Sequence, residues 1–143
     1  MGRIIGIDFG TKRIGLAVTD PLQIFASPLD TIMNADFFRY MENYRQKEEI
    51  EAFVIGNPVQ LNNKPSESVN QLTPFLKKLR NKYPDITVHL VDERFTSQMA
   101  FRSMLDGGVT KKDRRDKSMV DRISASIILQ SFLDTRSNKE KKI

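Results

Sequence analysis

The sequence predicts an α/β sandwich in which a mixed sheet is flanked by helices. Two short apolar runs rich in β-branched residues open the chain, and later runs of this kind alternate with segments of helical periodicity. Consecutive strands pair as antiparallel hairpins, whereas strands separated by helices pair in parallel. The length of 143 residues suits a single domain, because a chain of this size buries about 70% of its unfolded surface around one core.

Apolar runs and turn residues indicate where each element lies. Five strands are expected, at residues 3–9, 14–19, 29–32, 53–55 and 86–91. Four helices are expected, at residues 37–50, 69–79, 96–105 and 119–134. A turn that contains Gly10 joins the first two strands, and Gly56 with Pro58 ends the fourth. Pro74 either kinks the second helix or marks its first turn.

The charge balance points to a polyanionic partner. The net charge is +5, and residues 101–143 carry the whole excess. The cluster at residues 111–117 is the candidate for phosphate contact, whereas residues 136–143 are expected to form a basic, solvated tail. The chain has no cysteine, which excludes disulfides and thiolate metal sites. It also lacks an apolar run long enough to cross a membrane, so a cytoplasmic protein is expected.

Acidic residues follow two predicted strands at the point where each strand ends. Asp8 ends the first strand just before Gly10, and Asp92 and Glu93 directly follow the fifth. Ligands of open α/β sheets bind at the carboxyl ends of the strands, so these carboxylates are expected to meet in one crevice. The alternative for Asp92 and Glu93 is a solvated turn, in which Arg94 supplies an internal ion pair.

Asp121 lies near the start of the last helix and shares a stripe with Ala125, Ile128 and Phe132. That stripe is expected to face the sheet, where an acid is costly to bury unless it is paired or binds a metal. The alternative is that Ser118 caps the helix and Asp121 completes a variant capping box. The two interpretations are compatible.

Several carboxylates in one crevice are typical of a site that holds divalent cations over a phosphodiester. Hard oxygen ligands favour Mg²⁺ or Mn²⁺, and two such ions activate a water molecule and stabilise the leaving oxygen. The single histidine, His89, lies in the middle of a predicted strand and is poorly placed for a zinc site. A cysteine nucleophile is excluded, and a serine–histidine pair is disfavoured.

Four segments of the chain resemble the signature segments of the YqgF family. They are Asp8-Phe9-Gly10-Thr11-Lys12-Arg13-Ile14-Gly15, Gly56-Asn57-Pro58, Asp92-Glu93-Arg94-Phe95-Thr96-Ser97 and Asp121-Arg122-Ile123-Ser124-Ala125. The resemblance spans residues 3–134. Members of the family are identified as Holliday junction resolvases and, in bacteria, as nucleases of pre-16S ribosomal RNA processing. The chain departs from the family at Asn62-Asn63-Lys64-Pro65, where a glycine-containing stretch is usual, and at Ser124, where alanine is usual.

The resemblance implies a ribonuclease H-like three-layer sandwich with five strands, and metal-dependent hydrolysis by Asp8, Glu93 and Asp121. Asp8 would bridge two metal ions and the other two acids would each bind one, with Asp92 as the reserve ligand because strand parity leaves its direction open. The residues expected to contact nucleic-acid phosphates are Lys12, Arg13, Arg94, Lys112, Arg115 and Lys117. The partner would be structured RNA, which we favour, or branched DNA, and the protein would be a monomer or a homodimer.

Two other classes of function remain open. The opening motif also resembles the phosphate loop of sugar kinases and actin-like ATPases, although this chain is too short to supply their second nucleotide-binding half without dimerising. A nucleic-acid-binding module without catalytic activity could have the same fold. Metal and nucleotide binding separate the three, because a nuclease needs Mg²⁺ or Mn²⁺, an ATPase needs nucleotide and a binding module needs neither.

Overall fold

The computed structural model of the chain describes residues 2–57, 67–92 and 117–141, with side chains at 2–56, 72–91 and 118–136. The strands are β1 (Arg3–Asp8), β2 (Arg13–Thr19), β3 (Ala26–Met33), β4 (Ile50–Asn57) and β5 (Thr87–Asp92). The helices are α1 (Phe37–Lys47), which follows a 3-10 turn at Asn34–Asp36, α2 (Glu67–Lys82) and α3 (Lys117–Lys141).

In the described part of the chain, five strands form one mixed sheet in the order β3-β2-β1-β4-β5. β2 pairs antiparallel with both β1 and β3, because short turns connect these strands. β4 pairs parallel with β1 and with β5, as expected for strands that helices separate. The predicted α/β class with a mixed sheet is confirmed.

The two faces of the sheet carry separate apolar layers, so the domain has three layers. In β1, Ile5 and Ile7 pack with α1 and α2, whereas Ile4 packs with α3. This alternation follows from the two-residue period of a strand. Both layers are buried, as expected for a central strand covered by helices on each side.

Some elements extend further or end earlier than the sequence pattern predicts. β3 begins at Ala26 rather than at residue 29, because it pairs with β2 along its whole length, with a register shift opposite Pro28. α1 ends at Lys47, and β4 already begins at Ile50. These strands are longer than their apolar cores because backbone pairing continues through polar positions.

The helices also differ from the prediction. α2 begins at Glu67, so Pro74 lies inside the helix and the first-turn alternative is wrong. α3 extends from Lys117 to Lys141, well beyond the predicted 119–134. The predicted helix at 96–105 lies outside the described residues. No helix within the described ranges is long and apolar enough to span a membrane.

Arg136 was expected to belong to a solvated tail, and this expectation is wrong. Its side chain is half-buried and donates hydrogen bonds to the side-chain and main-chain oxygens of Gln23, at 3.1 and 3.4 Å. Its guanidinium also lies 5.7 Å from the centre of the Phe132 ring. α3 is therefore attached to the body of the domain at Arg136.

Candidate active site

The turn between β1 and β2 forms one side of a cleft at the carboxyl end of β1. Asp8 is the last residue of β1. A Cβ atom at Gly10 would lie 2.3 Å from the Arg13 carbonyl oxygen, so this tight turn requires glycine. Asn34 holds the turn by donating from its Nδ2 to the Gly10 carbonyl at 2.8 Å and from its backbone N–H to the Lys12 carbonyl at 2.9 Å.

Asp121 is brought to the same place by a close contact between α3 and β2. Asp8 and Gly15 are paired residues in the β1–β2 ladder. A Cβ atom at Gly15 would lie only 2.0 Å from the Asp121 carbonyl oxygen, so the helix backbone rests directly on the glycine. The even-numbered positions of β1 face α3, as Ile4 and Gly6 show, and Asp8 has the same parity. The two acids thus share one face and one level of the sheet.

Arg13 forms an ion pair with Asp121. Its Nε donates to Oδ2 of Asp121 at 2.9 Å, and the two side chains keep 32% and 22% of their exposed surface. Arg13 is predicted to contact phosphates, and the structure adds a carboxylate partner within the protein. Both members of the pair line the cleft described below.

The capping interpretation of Asp121 is wrong in its details. α3 begins at Lys117, so Ser118 lies inside the helix rather than at its N-cap, and the first turn contains no acid. The Ser118 carbonyl oxygen accepts a hydrogen bond from Oγ1 of Thr31 at 2.5 Å, which attaches the start of the helix to β3. Asp121 therefore does not complete a capping box at the start of α3.

Residues 8–13 and Asp121 line a cleft of about 260 Å³. Lys12 is exposed at its rim. The cleft thus combines two carboxylates with two cationic side chains, Lys12 and Arg13. This arrangement suits a bound cation inside and a phosphate at the mouth.

The other predicted site residues lie at the limit of the described residues or beyond it. Asp92 ends β5, but its side chain is not described. Lys117 begins α3, and its side chain is likewise not described. The remaining site residues outside the described ranges are Glu93, Arg94, Lys112 and Arg115.

The donor chemistry of the cleft fits Mg²⁺ or Mn²⁺. Carboxylate oxygens are the ligands that these hard cations prefer. Asp8, the ladder partner of Gly15, and Asp121, on the helix that contacts Gly15, supply such oxygens. Within the described residues no group of three or more acidic, histidine or cysteine side chains is suitable for a metal. His89 packs against Phe132, with the two ring centres 4.7 Å apart.

Three residues that shape the cleft were not identified from the sequence: Gly15, Asn34 and Thr31. Gly15 carried a usable signal, because a glycine inside an apolar strand indicates a bulge or a close backbone approach. Asn34 and Thr31 carried none, since their hydrogen bonds join positions at least 20 residues apart in the chain.

The chain matches a protein family described as "RuvX: Holliday junction resolvase" over residues 2–135. A protein of Phocaeicola vulgatus named "Putative pre-16S rRNA nuclease" is 50% identical over 136 residues, which cover 95% of this chain and 98% of the relative. A protein of Bacteroides fragilis with the same name is 47% identical, with 95% and 99% covered.

Among solved structures, Thermus thermophilus RuvC in complex with a Holliday junction substrate resembles the chain with a TM-score of 0.55. The two are 16% identical, and the match covers 96% of each chain. Another T. thermophilus RuvC structure gives a TM-score of 0.51, with 95% of this chain and 96% of the other covered. At this identity the likeness concerns the fold, and it supports the ribonuclease H-like architecture.

Proposed function

The chain belongs to the RuvX family of Holliday junction resolvases, and we propose that this phosphodiester hydrolase uses the cleft at Asp8 and Asp121 to process the 5′ end of pre-16S ribosomal RNA. The family resemblance noted from the motifs is confirmed, and so is the assignment to the nucleases. The substrate and the site residues are proposals.

The convergence of Asp8 and Asp121 is the observation that carries the proposal. One acid ends β1 and the other lies on α3, and the contact at Gly15 joins the two elements. A nuclease of this kind needs carboxylates on one face of the sheet to bind divalent cations. Asp8 would bind both ions, and Asp121 would bind one of them.

Glu93 is the preferred third ligand. In β5, His89 contacts Phe132 of α3, and Val91 packs in the same apolar layer, so odd-numbered positions face the helix. Continuing this alternation by one step favours Glu93 over the reserve ligand Asp92. Because Glu93 lies outside the described residues, this preference rests on strand parity alone.

Mg²⁺ or Mn²⁺, as two ions, would supply a nucleophilic hydroxide and neutralise charge on the leaving oxygen. The role of the chain's own residues would be to bind the ions and to orient the nucleic acid. The carboxylates hold the ions, and Lys12 at the rim attracts the phosphate backbone without reading bases. The further phosphate contacts proposed are Arg94, Lys112, Arg115 and Lys117.

The choice of RNA rests on the relatives. Two of them, which match almost their full length at 47–50% identity, carry the name of a pre-16S rRNA nuclease. A cytoplasmic location goes with this proposal, because ribosome assembly in bacteria takes place there. Resolution of a Holliday junction is the second candidate, because the family description names it.

Cleavage assays of the pure protein on both substrates test the proposal. We expect 5′-extended 16S RNA to be cut in Mg²⁺ or Mn²⁺, not in chelator, and not by Asp8→Asn. Cleavage of a four-way DNA junction but not of the RNA would identify a resolvase. The molecular mass of the protein in solution should then be that of the symmetric dimer that such a junction requires. Metal-independent binding without cleavage would identify a binding module.

A further inference from the structure

We propose that the Arg13 guanidinium occupies the position beside Asp121 that a metal ion would take, so that divalent metal and nucleic acid bind the cleft cooperatively. The inference rests on the proposed function of the cleft. The Arg13 Nε donates to Oδ2 of Asp121 at 2.9 Å. A guanidinium and a divalent cation repel each other, and both need the same carboxylate. The Arg13 guanidinium already neutralises Oδ2 of this carboxylate, so metal binding at Asp121 favours the departure of Arg13 by charge repulsion.

The backbone geometry makes Arg13 the partner that moves. The Asp121 carbonyl oxygen rests on Gly15, which fixes the height of α3 above β2 at this residue. Asp121 has a short side chain on this fixed backbone, so its carboxylate has little freedom to turn away. Arg13 has a long side chain that is 32% exposed, and it can swing toward the mouth of the cleft.

A phosphate at the mouth gives the displaced guanidinium a new acceptor. The hydrogen bond to Asp121 uses the Nε donor, and the guanidinium has further N–H donors on its two terminal nitrogens. Arginine binds phosphate oxygens through two parallel hydrogen bonds. Lys12, the adjacent residue, is exposed at the same rim and adds positive charge. Bound nucleic acid thus lowers the free energy required to release Asp121.

Cooperativity follows from thermodynamic linkage. If nucleic acid stabilises the released position of Arg13, it raises the affinity for metal, and metal raises the affinity for nucleic acid by the same factor. The cleft would then acquire its full metal complement chiefly when a strand is present.

Binding of Mn²⁺ to the full chain, followed by electron paramagnetic resonance, tests the proposal without reference to activity. The titration is done with and without a short single-stranded RNA whose phosphorothioate linkages slow hydrolysis. In the wild type, RNA should tighten Mn²⁺ binding. Arg13→Gln should bind Mn²⁺ roughly fivefold or more tightly in the absence of RNA, and RNA should add little, because coupling energies of this kind span about 5- to 150-fold.

Two further variants separate charge from structure. Arg13→Lys keeps the positive charge and should bind Mn²⁺ without RNA as the wild type does, but show weaker coupling because lysine lacks the arginine fork. Arg39→Gln is the matched control. It removes an arginine of α1 whose Nη2 pairs with Oδ1 of Asp36 at 2.7 Å. Because α1 lies on the other face of the sheet, Mn²⁺ binding should not change.

The outcomes distinguish this inference from the function on which it rests. If Arg13→Gln binds Mn²⁺ no more tightly than the wild type, or if RNA still tightens its binding fully, the proposal for Arg13 is wrong although the metal site stands. If the wild type does not bind Mn²⁺, or if Asp8→Asn and Asp121→Asn bind it normally, the metal site itself is wrong and the inference is overturned with it.

Discussion

Gly15 lies directly beneath the backbone carbonyl of Asp121, so that a Cβ atom at position 15 would come within 2.0 Å of that oxygen. The contact has a functional meaning because Gly15 is also the ladder partner of Asp8. One glycine therefore sets the spacing between the two acids of the cleft. A residue without chemistry of its own controls the geometry of the residues that have it.

Gly15→Ala should destabilise the protein and abolish cleavage, because α3 must move away from β2 to admit the new methyl group. Overpacking of this kind costs about 1–3 kcal/mol and sometimes more, and contact with rigid backbone predicts the upper end. Gly6→Ala is the control, since its Cβ would meet Leu129 Cβ at 2.8 Å and the Ala125 carbonyl oxygen at 2.9 Å and so would also press on α3, but farther from the cleft. Denaturant unfolding and cleavage are measured together. A Gly15→Ala variant as stable as the wild type would contradict this account.

Asp121→Asn should remove cleavage with little change in stability. The partly exposed ion pair with Arg13 contributes about 0–1 kcal/mol, and the helix does not depend on Asp121 for its cap. Asp134→Asn provides the control, because that exposed acid lies on the same helix and accepts a hydrogen bond from Gln130 at 3.1 Å. Thermal midpoint and cleavage are compared on one preparation. Retained activity in Asp121→Asn would remove this residue from the site.

The sequence predicts the order and type of the described elements because apolar alternation and helical spacing are local signals. The ends of the elements are harder to predict from the sequence. β3 begins at Ala26, before Ser27 and Pro28, because its hydrogen bonds to β2 depend on the partner strand rather than on its own residues. The extension of α3 to Lys141 is equally hidden, since its last residues form no apolar stripe.

Part of the site could also be predicted. Asp8 and Asp121 were singled out because one ends a strand and the other lies on the inward stripe of a helix, and they do line one cleft. The ion pair of Arg13 with Asp121 joins residues 108 positions apart. No local pattern encodes such a pairing, so the role of Arg13 toward a carboxylate became visible only in the folded chain.

Gln23 should be important for stability although it lies in a loop. It is 8% exposed and has a positive φ of 59°. Its Nε2 donates to the Gly2 carbonyl at 2.6 Å and to the Glu51 carboxylate at 2.5 Å. Its side-chain oxygen also accepts from Arg136 at 3.1 Å. Gln23→Ala should therefore cost about 3 kcal/mol, since each of the three lost bonds is worth about 1 kcal/mol.

The control for Gln23 is Leu22→Ala, because Leu22 is 67% exposed in the same loop and should change stability by less than about 0.5 kcal/mol. Denaturant unfolding measures both variants. Equal effects at the two positions would show that the hydrogen bonds of Gln23 do not hold the loop.

The three tyrosines should ionise at higher pH in the folded protein than in the unfolded chain. Burial raises the pKa of Tyr40 to about 12, with a further contribution from Asp30. Burial also raises the pKa of Tyr44 and of Tyr83, and the latter donates to Glu42 at 2.8 Å. Phenolate absorbance should therefore rise well above pH 10, and near pH 10 once the chain is unfolded in urea.

The sign of the stability effect follows from these raised pKa values. The fold favours the neutral phenol. The contribution of Tyr40 to the free energy of unfolding is therefore complete below pH 10 and is lost as the pH rises toward 12. The absence of tryptophan leaves the tyrosines as the source of the signal. A native titration that coincides with the unfolded one would contradict the burial of these rings.

Neutralising Lys112, Arg115 and Lys117 together should weaken the salt dependence of nucleic-acid binding. If each contacts a phosphate, the slope of log affinity against log salt should fall by about two to three units, since each contact contributes roughly 0.7 to 0.9. Mn²⁺ binding should stay unchanged, because these residues are proposed to follow the strand rather than hold the ions. The control neutralises Lys77, Arg80 and Lys82, which make the same charge change on α2, against the opposite face of the sheet from α3. An unchanged slope in the first triple variant, or an equal fall in the control, would place the phosphate track elsewhere on the protein.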